Sequence, residues 1–206
     1  MTVRGERRSV IAGPAGALEV ALNLPEAEAR ALALVAHPHP LQGGTLDNKV
    51  AQTLAKTFAA LGYASVRFNF RGAGKSEGAF DEGAGETDDA LAALEFGRRE
   101  FPAIATRPPV LAGFSFGSYV QSRVARTVVP ERMVLIGPAV SRFSADSLPT
   151  DTIVVHGEQD DVVPLAEVLA WARSPQLPVI VFPGCGHFFH GRLPQLQRVI
   201  AGMWQR

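Results

Sequence analysis

A chain of 206 residues that is 47% hydrophobic can bury one substantial core, and a single domain over residues 1–206 is expected. Lys+Arg and Asp+Glu both number 20, so the charge points to neither a polyanion nor an anionic membrane, and no nucleic-acid or membrane partner is expected. Cys185 is the sole cysteine, which excludes an intramolecular disulfide; no uninterrupted apolar run could span a bilayer, and the apolar stretch after the basic N-terminus is broken by Gly13, Pro14, Gly16 and Glu19, so a soluble cytoplasmic protein is expected.

In chain order, Val10–Ala12 and Leu18–Leu22 flank Gly13-Pro14-Ala15-Gly16, which predicts an antiparallel hairpin. Ala31–Ala36 is a continuous apolar run, the pattern of a strand buried on both faces of a parallel sheet. It gives way to the loop His37-Pro38-His39-Pro40-Leu41-Gln42-Gly43-Gly44. Asp47 reads as an N-cap, with Val50, Leu54, Phe58 and Leu61 at helical spacing and Gly62 closing the helix. Ala64–Phe70 reads as a strand, followed by a glycine-rich loop from Arg71 to about Gly85 and a helix through Leu91 and Leu94 that stops before Pro102. Val110-Leu111-Ala112, Met133–Ile136, Thr152–Val155 and Val179–Phe182 are further buried strands. Pro164 sits where a helix starts, and Leu193, Leu196, Val199, Ile200 and Met203 form the stripe of the last one. Strands alternating with helices after a hairpin imply an α/β fold: a mostly parallel twisted sheet with helices on both faces.

Reactive residues of such sheets gather at the carboxyl ends of the strands. Three of those ends carry unusual polar groups. Gly113-Phe114-Ser115-Phe116-Gly117 has the form G-x-S-x-G in a strand–turn–helix setting, where a sharp turn lifts the serine hydroxyl clear of the sheet and leaves no room beside it for larger side chains than glycine. His156-Gly157-Glu158-Gln159-Asp160-Asp161 follows a later strand, and Gly184-Cys185-Gly186-His187-Phe188-Phe189-His190 follows the last. A serine hydroxyl is a weak nucleophile until an imidazole takes its proton, and a carboxylate fixes that imidazole's tautomer. His190, His156 and His37 compete with His187 for the base, and spacing hardly separates Asp160 from Asp161. Cys185 reads as a small buried side chain, and Phe114, Phe188 and Phe189 as core or as an acyl pocket.

Gly74-Lys75-Ser76 copies the end of a phosphate-binding loop. The full pattern needs glycine where Asn69 stands, and a helix where Glu77-Gly78-Ala79 continues as loop.

Five motifs occur in order: HPHP-x-x-GG-x-x-x-NK, RFNFRG-x-GKSEG, GFSFG, HG-x-x-D-x-x-VP and G-x-x-HFFHG. With them the chain resembles the alpha/beta-hydrolase family over nearly its whole length, and within it the small lidless bacterial serine hydrolases. The resemblance implies Ser115 as nucleophile, Asp160 as acid (three residues after Gly157) and His187 as base, with no cofactor and no metal. The oxyanion of a tetrahedral intermediate needs backbone donors. Phe116, next after the nucleophile, supplies one. The other is expected from the loop after Ala31–Ala36, where Pro38 and Pro40 have no N–H; His39 is the first choice and Leu41 the second. Residues 137–150 are too short for a helical cap, so an open site is expected. The reading is a serine hydrolase acting on a small-molecule ester or thioester, short acyl groups favoured. A peptidase or amidase with the same triad is the alternative, or a non-catalytic relative used as a binding module, which would be expected to lack a triad residue. Oligomeric state is not legible.

Overall fold

A computed structural model describes residues 5–142 and 148–204. Eight strands form one sheet in the order β1-β2-β4-β3-β5-β6-β7-β8. The hairpin of β1 (Glu6–Gly13) and β2 (Gly16–Asn23) is antiparallel, and β2 runs antiparallel to β4 (Tyr63–Phe68). From β4 onward every pairing is parallel, through β3 (Ala31–Ala36), β5 (Val110–Phe114), β6 (Arg132–Ile136), β7 (Ile153–Gly157) and β8 (Val179–Phe182).

The strand sequences are apolar throughout because both faces are covered. On β3, Leu32, Leu34 and Ala36 point into one core, while Ala31, Ala33 and Val35 point into the other. The first core is closed by α2 (Ala84–Glu100), α3 (Phe116–Val124) and α4 (Leu165–Ala172), through Leu94, Val120 and Val168 among others. The second is closed by α1 (Lys49–Ala60) and α5 (Leu193–Trp204), through Leu54, Phe58, Leu196 and Ile200.

One expected cap is displaced by a residue. Asn48, not Asp47, caps α1: its Oδ1 accepts from Val50 N at 2.9 Å and Ala51 N at 3.3 Å. Asp47 is drawn away by the Arg8 guanidinium, with Arg8 Nη1 at 2.9 Å from its Oδ2. The β4 strand also ends at Phe68 rather than Phe70, although Asn69 N still bonds Glu19 O of β2 at 2.9 Å.

Between β6 and β7 the described residues contain only a short 3-10 turn at Val140–Arg142, and no cap domain is present among the described residues. Residues 143–147 of the same stretch lie outside the described residues. Among the described residues no helix is long and apolar enough to cross a membrane.

Candidate active site

Ser115 stands between β5 and α3 with φ 55° and ψ −119°, a conformation that costs an L-residue on the order of 1–3 kcal/mol. The turn is forced by what surrounds it. A Cβ at Gly113 would lie 2.4 Å from the Gly117 carbonyl, and one at Gly117 would lie 2.4 Å from Ala36 O and 2.6 Å from His37 O. Both glycines therefore let α3 start directly on the backbone of β5 and of the loop after β3. Ser115 N bonds Ile136 O at 2.9 Å, and the side chain of Gln121 bonds Leu34 O at 3.0 Å and Ala112 O at 3.1 Å, which fastens α3 to two strands. Nothing in the sequence singled out Gln121.

Asp160 and His187 meet beyond the ends of β7 and β8. His187 Nδ1 lies 2.7 Å from Asp160 Oδ2. Asp160 Oδ1 accepts from Val162 N at 3.0 Å and Val163 N at 2.8 Å, so the carboxylate is held at both oxygens. Burial opposes its charge, but the bonds from His187 and Val163 outweigh that and hold its pKa below the ordinary value. Asp161 is exposed, and makes no hydrogen bond among the described residues. The acidic residue in the first turn of α4 is Glu167.

The His187 ring packs on Phe114, centroids 4.8 Å apart, and stands 3.2–3.3 Å from where a Cβ on Gly137 would be. Gly137 follows directly on Ile136, whose carbonyl receives Ser115 N. The turn after β6 is thus the common neighbour of Ser115 and His187. No hydrogen bond joins the Ser115 hydroxyl to His187 among the described residues; such contacts commonly tighten only when substrate binds.

The three competing histidines fall elsewhere. His37 is wholly buried, its Nδ1–H donating to Pro38 O at 2.6 Å and its Nε2 accepting from Phe70 N at 3.0 Å. Burial pushes its pKa down to about 3, only partly opposed by the Pro38 bond, so it stays neutral and clamps the loop after β3 to the loop after β4. His156 is buried behind Asp160, with Nε2 2.8 Å from Val163 O. His190 is exposed and stacks on Phe188 at 5.8 Å.

His39, the first-choice oxyanion donor, lies between the rings of Phe80 (4.7 Å) and Phe116 (4.9 Å). Neither its N–H nor that of Phe116 donates to another group among the described residues. Leu41, the second choice, is 72% exposed on the 3-10 turn Pro40–Gln42. Phe114 and Phe189 are wholly buried, Phe189 against Phe182, whereas Phe188 is 44% exposed beside the His187 ring at 5.1 Å. Cys185 is buried.

The glycine-rich loop is a brace. Glu19 Oε2 accepts from Lys75 N at 2.9 Å and from Asn69 Nδ2 at 2.7 Å, and Ser76 Oγ bonds Asn69 O at 2.8 Å. A carboxylate thus occupies the backbone donor that a phosphate would need. Arg71 is paired to Asp89 on α2, Nη2 to Oδ1 at 2.9 Å. A cavity of about 650 Å³ between residues 24–29 and 100–107 lies at the amino ends of β3 and β5, away from Ser115.

Comparison with known proteins agrees with this architecture. Residues 16–148 match the family described as X-Pro dipeptidyl-peptidase (S15 family). That span holds the elbow but ends before Asp160 and His187. An uncharacterised protein of Rickettsia prowazekii is 30% identical over 211 residues, covering 91% of this chain and 84% of the relative. An alpha/beta serine hydrolase without lid from Xanthomonas campestris superposes with a TM-score of 0.90 at 35% identity, over 100% of this chain and 96% of that one. An alpha-beta serine hydrolase homologue from Coxiella burnetii gives 0.86 at 37% identity, over 98% of both chains. With the fold, the strained elbow and these relatives in agreement, the chain belongs to the alpha/beta-hydrolase superfamily, among the lidless serine hydrolases and within the reach of the S15 family model.

Proposed function

We propose that this protein is a cytoplasmic serine hydrolase that cleaves a small-molecule carboxylic ester or thioester through an acyl-enzyme, with Ser115 as nucleophile, His187 as base and Asp160 as acid. The observation that carries the reading is the 2.7 Å contact of His187 Nδ1 with Asp160 Oδ2, with the His187 ring packed on Phe114, the residue before the strained Ser115. Asp160 keeps the His187 proton on Nδ1, which leaves Nε2 as the lone pair that takes the Ser115 proton during attack. The alkoxide adds to the acyl carbon, and the oxyanion is met by the N–H groups of Phe116 and His39. His187 then returns the proton to the leaving alcohol or thiol, and water repeats the sequence on the acyl-Ser115 ester.

With no cap over the site, a long acyl chain finds little apolar surface to bury, and each added methylene gains well under the ~0.8 kcal/mol of full burial. Short acyl groups are therefore favoured. The match to the X-Pro dipeptidyl-peptidase model supports a second reading, a peptidase on the same triad. A panel of p-nitrophenyl esters of rising chain length, an acyl thioester and an Ala-Pro anilide tests both. The proposal expects kcat/KM to be highest for short esters or the thioester, without activation at the micellar threshold. Anilide turnover above that of every ester would replace it with the peptidase.

A further inference from the structure

We propose that His156 is a positioning residue for Asp160: a second, buried imidazole that holds the turn carrying the acid closed behind His187. The inference rests on the reading of Ser115, His187 and Asp160 given above.

His156 is the penultimate residue of β7 and is wholly buried. Its Nε2 is 2.8 Å from Val163 O and 3.4 Å from Asp160 Oδ2. A carbonyl at that distance only accepts, so Nε2 carries the proton and Nδ1 is left as a bare lone pair. Nδ1 is itself buried and has no partner among the described residues. An unmet buried polar atom costs about 1–3 kcal/mol, which an aliphatic side chain at this place would not incur. The imidazole is a poor choice for filling space and a good one for what its N–H does.

That N–H closes a ring of contacts. Val163 supplies the carbonyl that His156 holds and, through its N–H, one of the two bonds on Asp160 Oδ1. The same Nε2 lies 3.4 Å from Oδ2, the oxygen that His187 Nδ1 reaches at 2.7 Å, with its hydrogen bond going to Val163 O. Asp160 cannot rotate toward solvent without loosening Oδ1 from residues 162 and 163, whose turn His156 holds through Val163 O, and Oδ2 from His187. Burial lowers the pKa of His156, against the opposing pull of Val163 and Asp160, which favours the neutral donor. Its work is geometric, and displacements of a catalytic group by about 1 Å cost up to ~100-fold in rate.

The test uses the full chain with a short p-nitrophenyl ester. His156→Leu is expected to lower kcat roughly 10- to 100-fold while KM stays within about two-fold, because substrate does not touch residue 156. His156→Gln, whose amide N–H reaches nearly the same point, is expected to recover most of the loss. In parallel, nitrogen NMR of the unmutated, 15N-histidine-labelled protein should show His156 as a neutral Nε2–H tautomer from roughly pH 7 to 8. This second measurement decides the matter even if the leucine variant does not fold. An Nδ1–H tautomer, or a His156 that takes up a proton in that range, overturns the inference. So does wild-type kcat in His156→Leu when Asp160→Asn is crippled in the same assay. If Asp160→Asn keeps wild-type kcat, the triad reading fails, and this inference fails with it.

Discussion

Replacing Asp160 by asparagine preserves the size of the side chain but reverses what His187 meets. The amide has one acceptor and one donor end. Turned so that its oxygen keeps the bonds from Val162 N and Val163 N, it presents NH2 to His187 Nδ1, where a carboxylate oxygen stood at 2.7 Å. Turned the other way, it loses two backbone hydrogen bonds at about 1 kcal/mol each and sets donor against donor, so the first arrangement prevails. His187 must then accept at Nδ1 and carry its proton on Nε2, the nitrogen that the proposed mechanism uses as base. A wrong tautomer of this kind costs about 10⁴ in kcat, or roughly 5.5 kcal/mol at 1.36 kcal/mol per decade. Asp161 is exposed and bonds to nothing among the described residues, so Asp161→Asn should stay within about two-fold, the usual range for such surface changes. Steady-state kcat on a short p-nitrophenyl ester, with urea midpoints to confirm that both variants fold, makes the comparison. Equal losses, or the larger loss at Asp161, would refute the assignment.

Two further outcomes follow from the groups around the elbow. His37 is neutral when folded down to about pH 3, while the unfolded chain takes up its proton near 6.5, so its contribution to stability is present above that value and lost as pH falls through the window. Between pH 7 and about pH 4.5 this one residue should remove roughly 2–3 kcal/mol; urea midpoints should drop less in His37→Asn, which retains a donor for Pro38 O, and an identical drop in both proteins would contradict this role. Gly117→Ala should destabilise by roughly 1–3 kcal/mol and remove most activity, since its methyl would sit 2.4 Å from Ala36 O, a backbone atom that cannot step aside; normal stability and turnover in that variant would show that α3 does not rest on β3 as described.

The layered fold was readable because each strand carries its burial on its face. Ala31–Ala36 is apolar at every position, and the structure divides those positions between two cores. Asp160 and His187 were readable as residue types at strand ends, and their contact is a consequence of β7 and β8 being neighbours in the sheet. What escaped the sequence depends on partners distant in the chain. Asp47 and Asn48 are both good capping residues, and the choice was made by Arg8 on β1, which no local pattern reports. Glu19 looks like an ordinary outward residue of a hairpin strand, yet it is buried and holds the amide of Lys75. His37 and His156 could be read only as rivals for the base, because a histidine that donates to a carbonyl from inside the core has the same letter as one that moves protons. Gln121 gave no motif at all, although it ties the elbow helix to β3 and β5.

The proposed mechanism requires that Ser115 become covalently acylated. Intact-mass and peptide mass spectrometry after reaction with a fluorophosphonate, and after quenching during turnover of a slow ester, measures this directly. One adduct per chain is expected, on the peptide containing Ser115, absent in Ser115→Ala and formed much more slowly in His187→Ala, with both variants folded. Hydrolysis that persists in Ser115→Ala, or an adduct mapped to any other residue, would contradict it.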